Sequence, residues 1–241
     1  MITKKTVNSA KPQALFGLGR NRATLLVLLL FASVLFVSFQ NVSAQSVTTA
    51  VQICRPGFSW GGYSWNWNSM PLFGVTVSGS NQPILTVEGQ SITNSWQGAW
   101  VSEGRISRPT TKTTVQVDVA LENLPSSAAS AGIWFVKDNQ NALIVNKHRD
   151  ITDPQYNSNV FIIERVNGSD SFKYVSPDLP SSTFDTYKIQ KTLTGYNVYY
   201  NGTLVYTGTL DVSQFNKVEI NGVARIGGDQ IRARFRNYTE Q

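Results

Sequence analysis

The 241-residue chain has 21 Lys and Arg against 15 Asp and Glu, a formal net charge of +6, with 11% aromatic residues and one cysteine. Cys54 alone excludes an internal disulfide and any cysteine-based zinc site, so stability must come from packing, and a buried inert thiol is its commoner state. Lys4, Lys5, Lys11, Arg20 and Arg22 precede Ala44 and no acid does, which leaves 16 cations against 15 carboxylates, so the basic charge belongs to the leader and gives no argument for a nucleic-acid partner.

Residues 1–44 have the order of an export leader. Five cations are followed by the apolar run A-T-L-L-V-L-L-L-F-A-S-V-L-F-V, and V-S-A at Val42 to Ala44 puts small residues where a signal peptidase reads. Cleavage before Gln45 is the expectation. The other reading is an uncleaved anchor, because Ala23 to Phe39 is near the lower length for spanning a bilayer. In either case the cations stay inside and the rest of the chain is sent out, so a membrane is a partner only if the leader is retained.

Residues 45–70 form an aromatic segment, F-S-W-G-G-Y-S-W-N-W-N, with Phe58, Trp60, Tyr63, Trp65 and Trp67, followed later by Trp96 and Trp100. The interspersed Gly, Ser and Asn predict a loop. Trp65 and Trp67, two apart, share a side if the stretch is extended. Flat rings with a polar edge suit the C–H faces of sugars, with Asn66 and Asn68 able to bond hydroxyls, so Trp60, Tyr63, Trp65 and Trp67 are candidate carbohydrate contacts. The competing reading is that these rings fill a core that has no disulfide.

Residues 71–241 read as one all-β domain. Short alternating or apolar runs follow one another between turn residues: L-F-G-V-T-V, P-I-L-T-V-E, A-W-V-S-E-G-R-I, T-T-V-Q-V-D-V-A-L, A-G-I-W-F-V, A-L-I-V-N-K-H, N-V-F-I-I-E-R-V, S-F-K-Y-V, T-Y-K-I-Q-K, Y-N-V-Y-Y, T-L-V-Y-T, K-V-E-I and I-R-A-R-F-R-N-Y. Asn167-Gly168 and Asn201-Gly202 are the pair favoured where both central turn residues need positive φ, so they predict antiparallel hairpins. A two-sheet sandwich or a closed barrel buries one face of each strand. Arg232, Arg234 and Arg236 share a strand face and read as solvated charges. Asn167, Asn201 and Asn237 begin N-x-S/T sites, two of which coincide with the hairpin turns.

The runs A-G-I-W-F-V-K-D-N-Q-N-A-L-I-V, I-I-E-R-V-N-G, D-T-Y-K-I-Q-K-T-L-T-G-Y-N-V-Y-Y-N-G-T-L-V-Y and R-A-R-F-R-N-Y together resemble the concanavalin A-like lectin/glucanase superfamily. Its laminin-G-like and glucanase-like modules are the nearest in pattern, over Leu85 to Tyr238. The resemblance implies a two-sheet antiparallel jelly roll and a polysaccharide or glycan partner. It is a resemblance of hydrophobic spacing, which speaks to fold before activity.

Glucanase-like members carry an E-x-D-x-E or E-x-D-x-x-E strand, nucleophile first and acid last. The matching stretch here is V-Q-V-D-V-A-L-E, Val115 to Glu122. Gln116 stands in the nucleophile's place and Ala120 or Leu121 in the acid's, while a retaining mechanism needs two carboxyl groups about 5 to 5.5 Å apart. Period two sends Val115, Val117, Val119 and Leu121 to the core and Gln116, Asp118, Ala120 and Glu122 to the other face. That argues against this chemistry on that strand.

His148, the only histidine, ends A-L-I-V-N-K-H on the same face as Asn146. With Lys147, Arg149, Asp150, Asp153 and Tyr156 it forms a dense polar run, and Asn146 and His148 are added to the candidate carbohydrate contacts. No cofactor is expected. Calcium is the one ion that the resemblance allows, at Asp138 to Asn141 or at Asp150/Asp153, but neither stretch has regular ligand spacing and turn chemistry accounts for both.

Three functions follow. The first is a secreted or surface-attached, non-catalytic carbohydrate-binding sandwich. The second is a glycoside hydrolase or polysaccharide lyase with a constellation around His148, Glu164 or Asp118. The third is a structural or adhesive surface protein.

Overall fold

The computed structural model describes residues 57–103, 110–122, 128–152, 159–176 and 183–241, all within the compact unit Val47–Gln241. The leader, Cys54, Asp153 and Tyr156 lie outside the described residues. Every regular element among those described is a β-strand, and all pairings are antiparallel. One sheet has eight strands in the spatial order β1 (Phe58–Trp60), β2 (Tyr63–Ser69), β5 (Gln97–Glu103), β14 (Lys217–Ala224), β7 (Ala128–Asp138), β8 (Asn141–Asp150), β9 (Asn159–Val166), β10 (Ser169–Val175). The other has seven: β13 (Thr203–Gly208), β12 (Gly195–Tyr200), β11 (Asp185–Thr192), β6 (Thr114–Leu121), β15 (Gln230–Glu240), β4 (Ile84–Gln90), β3 (Phe73–Ser78).

Alternation explains how the two sheets make one core. Val115, Val117 and Val119 of β6 face Ile133 and Phe135 of β7, Leu143 and Val145 of β8, and Ile220 of β14 across the sandwich, all fully buried. The two Asn-Gly turns behave as their chemistry requires. Asn167 and Gly168 have φ of 52° and 80°, Asn201 and Gly202 48° and 82°, and each pair joins neighbouring strands.

The aromatic segment differs from the expected loop. It is a hairpin, β1–β2, turned at Gly61 and Gly62 with φ of 62° and 81°. Its rings close one end of the sandwich: Trp65 lies 4.8 Å from Tyr238 of β15 and 5.5 Å from Trp60, centroid to centroid. Tyr238 reaches that position because the β15 register shifts between Arg236 and Thr239, at Asn237 with φ of 53°. The shift moves the inward parity from Phe235 to Tyr238.

Two polar contacts tie the layers together. The Lys147 ammonium of β8 points inward and donates to Asp185 Oδ2 of β11 at 2.6 Å, with Lys147 1% exposed. Tyr196 of β12 donates to Glu164 Oε1 of β9 at 2.7 Å. Burial pushes the Tyr196 phenol far up, and the hydrogen bond to Glu164 adds to this.

Candidate binding groove

Residues of opposite parity to the core cover the outer face of the eight-stranded sheet. The hydrogen-bonded register sets them in rows that cross the strands. One row runs Asn68, Trp100, Asn221, Gly132, Asn146, Phe161 from β2 to β9. The next runs Asn66, Ser102, Glu219, Trp134, Ile144, Ile163, Phe172. On the other side stand Val223, Ser130, His148 and Asn159. Two hollows, of about 300 and 410 Å³, lie on this face, and Trp100, Trp134 and Arg165 border both.

Rings line the first hollow. His148 stacks on Phe161 at 4.2 Å and 19°, Phe172 meets Phe161 edge-on at 5.4 Å, and Trp96 lies 5.7 Å from His148. Trp134 stands half-buried between the hollows and donates its Nε1–H to Asn146 Oδ1 at 3.1 Å. That bond depends on Gly132, since a Cβ there would come within 2.4 Å of Asn146 Oδ1 and 2.1 Å of the Val145 carbonyl.

The charges on this face are matched locally. Arg165 donates Nε and Nη2 to the two oxygens of Asp170 at 2.7 and 2.9 Å, which holds the guanidinium above its ordinary pKa. Lys217 pairs with Glu219, which also accepts from Ser102 Oγ at 3.3 Å. Asp138 Oδ1 accepts from the Gln140 amide and from Asn141 Nδ2, and these bonds lower its pKa. Among the described residues no three or more His, Cys, Asp or Glu side chains gather at one point.

Of the candidate contacts, the structure brings Asn146 and His148 together on this face. The N-terminal rings are elsewhere. Trp65 and Trp67 do share a side, and it is the core side: Trp65 is fully buried and gives its Nε1–H to the Trp60 carbonyl, while Trp67 packs on the core from the edge. Trp60 is 2% exposed, with its Nε1–H on the Pro83 carbonyl, and Tyr63 sits edge-on to Tyr238. The residues that alternate with Trp65 and Trp67 along β2, Asn66 and Asn68, are the ones on the groove face. Trp134, Phe161 and Phe172 entered no sequence-level list of contacts. Trp134 had a signal, since it breaks the core parity of Ile133 and Phe135, but Phe161 and Ile163 alternate with equally apolar Val160 and Ile162.

The three acid–base candidates do not converge. His148 faces the groove, Glu164 points into the core toward Tyr196, and Asp118 lies on the outer face of the seven-stranded sheet. There Asp118 accepts from Thr186 Oγ1 at 2.7 Å, Asn237 Nδ2 at 2.8 Å and Arg236 Nε at 3.3 Å. Beside Glu219 in the register, along β14 or across it, stand Lys217, Asn221, Ser102 and Trp134, none of them a carboxylate.

No family model and no curated protein matches the chain. Solved structures do match in fold. The carbohydrate binding module CBM66 from Bacillus subtilis aligns with 73% of this chain and 94% of its own, at 16% identity and a TM-score of 0.50. A glycoside hydrolase family 16 endo-glucanase from Bacteroides ovatus aligns over 76% and 97%, at 8% identity and 0.53. A functionally unknown protein from Saccharomyces cerevisiae aligns over 73% and 95%, at 13% and 0.52. At such identities the likeness is one of fold, that of a two-sheet antiparallel sandwich.

Proposed function

We propose that this concanavalin A-like jelly roll is a secreted or cell-surface carbohydrate-binding protein that holds a glycan chain in the groove of the eight-stranded sheet without cleaving it. The carrying observation is the groove itself, where ring faces and side-chain amides alternate across neighbouring strands. Ring faces take up the C–H faces of pyranoses, and an amide, with both donors and an acceptor, answers hydroxyls that do both. Solved neighbours of this fold include a carbohydrate binding module and a glucanase, so fold alone permits binding or hydrolysis. The placement of Asp118 on the outer face of the opposite sheet favours binding, as does the engagement of each groove carboxylate, Asp170 by Arg165, Glu219 by Lys217 and Asp138 by the Gln140 and Asn141 amides, since retaining and inverting hydrolysis both use a carboxyl pair across the bond.

The test is a glycan array probed with the exported protein, followed by assays of reducing-sugar release and unsaturated-product absorbance on each hit. Binding without release is expected. Turnover of a bound glycan would transfer the groove to the enzyme reading, and binding to none would remove it. Intact mass of the exported protein gives the leader's fate: an N-terminus at or near Gln45 is expected, and a retained leader makes the chain a membrane-anchored binder.

A further inference from the structure

The groove's charges and its buried amide together indicate which glycans fit. An acidic polysaccharide presents a carboxylate or sulfate on each repeat, and a site for one supplies cations free to meet it. The two cations that border the hollows, Arg165 and Lys217, are already closed by Asp170 and Glu219, the first bidentately. Asp138 is a third carboxylate on the lining, which leaves more negative than positive charge there. A uronate would meet an unfavourable field and would have to break a formed ion pair.

Asn221 supplies the second observation. It lies at the middle of the row, between Trp100 on β5 and Gly132 on β7, on the groove parity. Its side chain is 0% exposed, and neither Nδ2 nor Oδ1 has a hydrogen-bond partner among the described residues. A buried amide left so costs stability, and an apolar side chain of similar volume would not. Asn68 and Asn146 stand in the same row, two strands away on either side.

We infer that the groove selects an uncharged glycan, whose hydroxyls are read by the amide row Asn68, Asn221 and Asn146. A shift of the half-buried Trp100 ring, which borders both hollows, uncovers the Asn221 amide to a hydroxyl seated there. This rests on the carbohydrate-binding reading and adds the chemical class of ligand.

The experiment compares soluble neutral polysaccharides (mixed-linkage β-glucan, xylan) with the acidic polymers alginate and polygalacturonate, using the exported protein at low and at ~0.5 M salt. Neutral polymers should bind with an affinity that salt leaves unchanged, and the charged ones at least about tenfold more weakly. Asn221→Leu should lower affinity for the neutral polymer about tenfold while the melting temperature holds or rises, a pairing that a packing role would not produce. Asn68→Ala, at an exposed position, gives the same reading of the row if the leucine variant does not fold.

Salt-sensitive binding of a charged polymer, tighter than any neutral one, overturns the inference and leaves glycan binding intact. Wild-type affinity in both asparagine variants also overturns it. Binding to no polymer of either kind removes the parent reading and this one with it.

Discussion

Trp65 and Trp134 are the same residue type on the two faces of one sheet, and they should respond oppositely to truncation. Trp65 is enclosed by Trp60 and Tyr238. Trp65→Ala should cost about 3 to 5 kcal/mol of stability, and any loss of binding should follow unfolding. Trp134→Ala removes a ring from the groove and frees Asn146, so affinity should fall by about 1 to 3 kcal/mol with a smaller loss of stability. Melting temperature and glycan affinity measured on both variants check this, and a Trp65→Ala that melts as wild type while losing affinity would move the binding surface back to the N-terminal rings. At this scale the sequence was legible where parity was clear. Asn146 and His148 share a face because they are two apart on a strand, as their spacing already required. Trp60 and Trp65 were read as contacts because spacing says which rings share a side but not whether that side is inner or outer.

At the scale of elements, β6 shows what alternation can decide. Val115, Val117, Val119 and Leu121 are in the core and Gln116, Asp118 and Ala120 take the other parity, as period two requires. What the pattern could not contain is which sheet the strand joins. β6 lies in the seven-stranded sheet, so Gln116 and Asp118 look away from the groove. Gln116→Glu should therefore leave both hydrolysis and glycan affinity unchanged. Asp118→Asn should cost about 1 to 3 kcal/mol of stability through Thr186, Arg236 and Asn237, again with affinity unchanged. Glucanase activity in either protein, assayed by reducing-sugar release, would contradict this placement. The β1–β2 hairpin was missed as strand because Gly, Ser and Asn dilute its pattern, and its stability comes from Tyr238 on a distant strand. β7 gives a second test. Gly132→Ala forces a methyl against the Val145 carbonyl and Asn146 Oδ1, so the variant should be less stable and bind glycan more weakly, by melting and affinity measurements.

The sandwich as a whole stores titratable groups between its sheets. Tyr187 and Tyr196 are both fully buried, and burial raises both phenols above the ~10 of an unfolded tyrosine. Their contribution to stability is complete below about pH 10 and declines as pH rises past it, because the unfolded chain then releases protons that the folded chain keeps. The urea midpoint should be level from neutral pH to about 9 and fall above about 10. Tyr196→Phe should make that alkaline limb shallower, and an unaltered limb would assign it to other groups. The inter-sheet link through Lys147 bears on binding in another way. Lys147 lies between Asn146 and His148 in the chain and points oppositely, its ammonium held by Asp185 and the Thr183 carbonyl. A strand cannot rotate one residue without its neighbours, so this inward anchor sets the orientation of the two groove residues beside it before a ligand arrives. With Asn146 also held by the Trp134 Nε1–H and His148 stacked on Phe161, the glycan meets these two side chains already placed, and their share of the entropy surrendered on association is small.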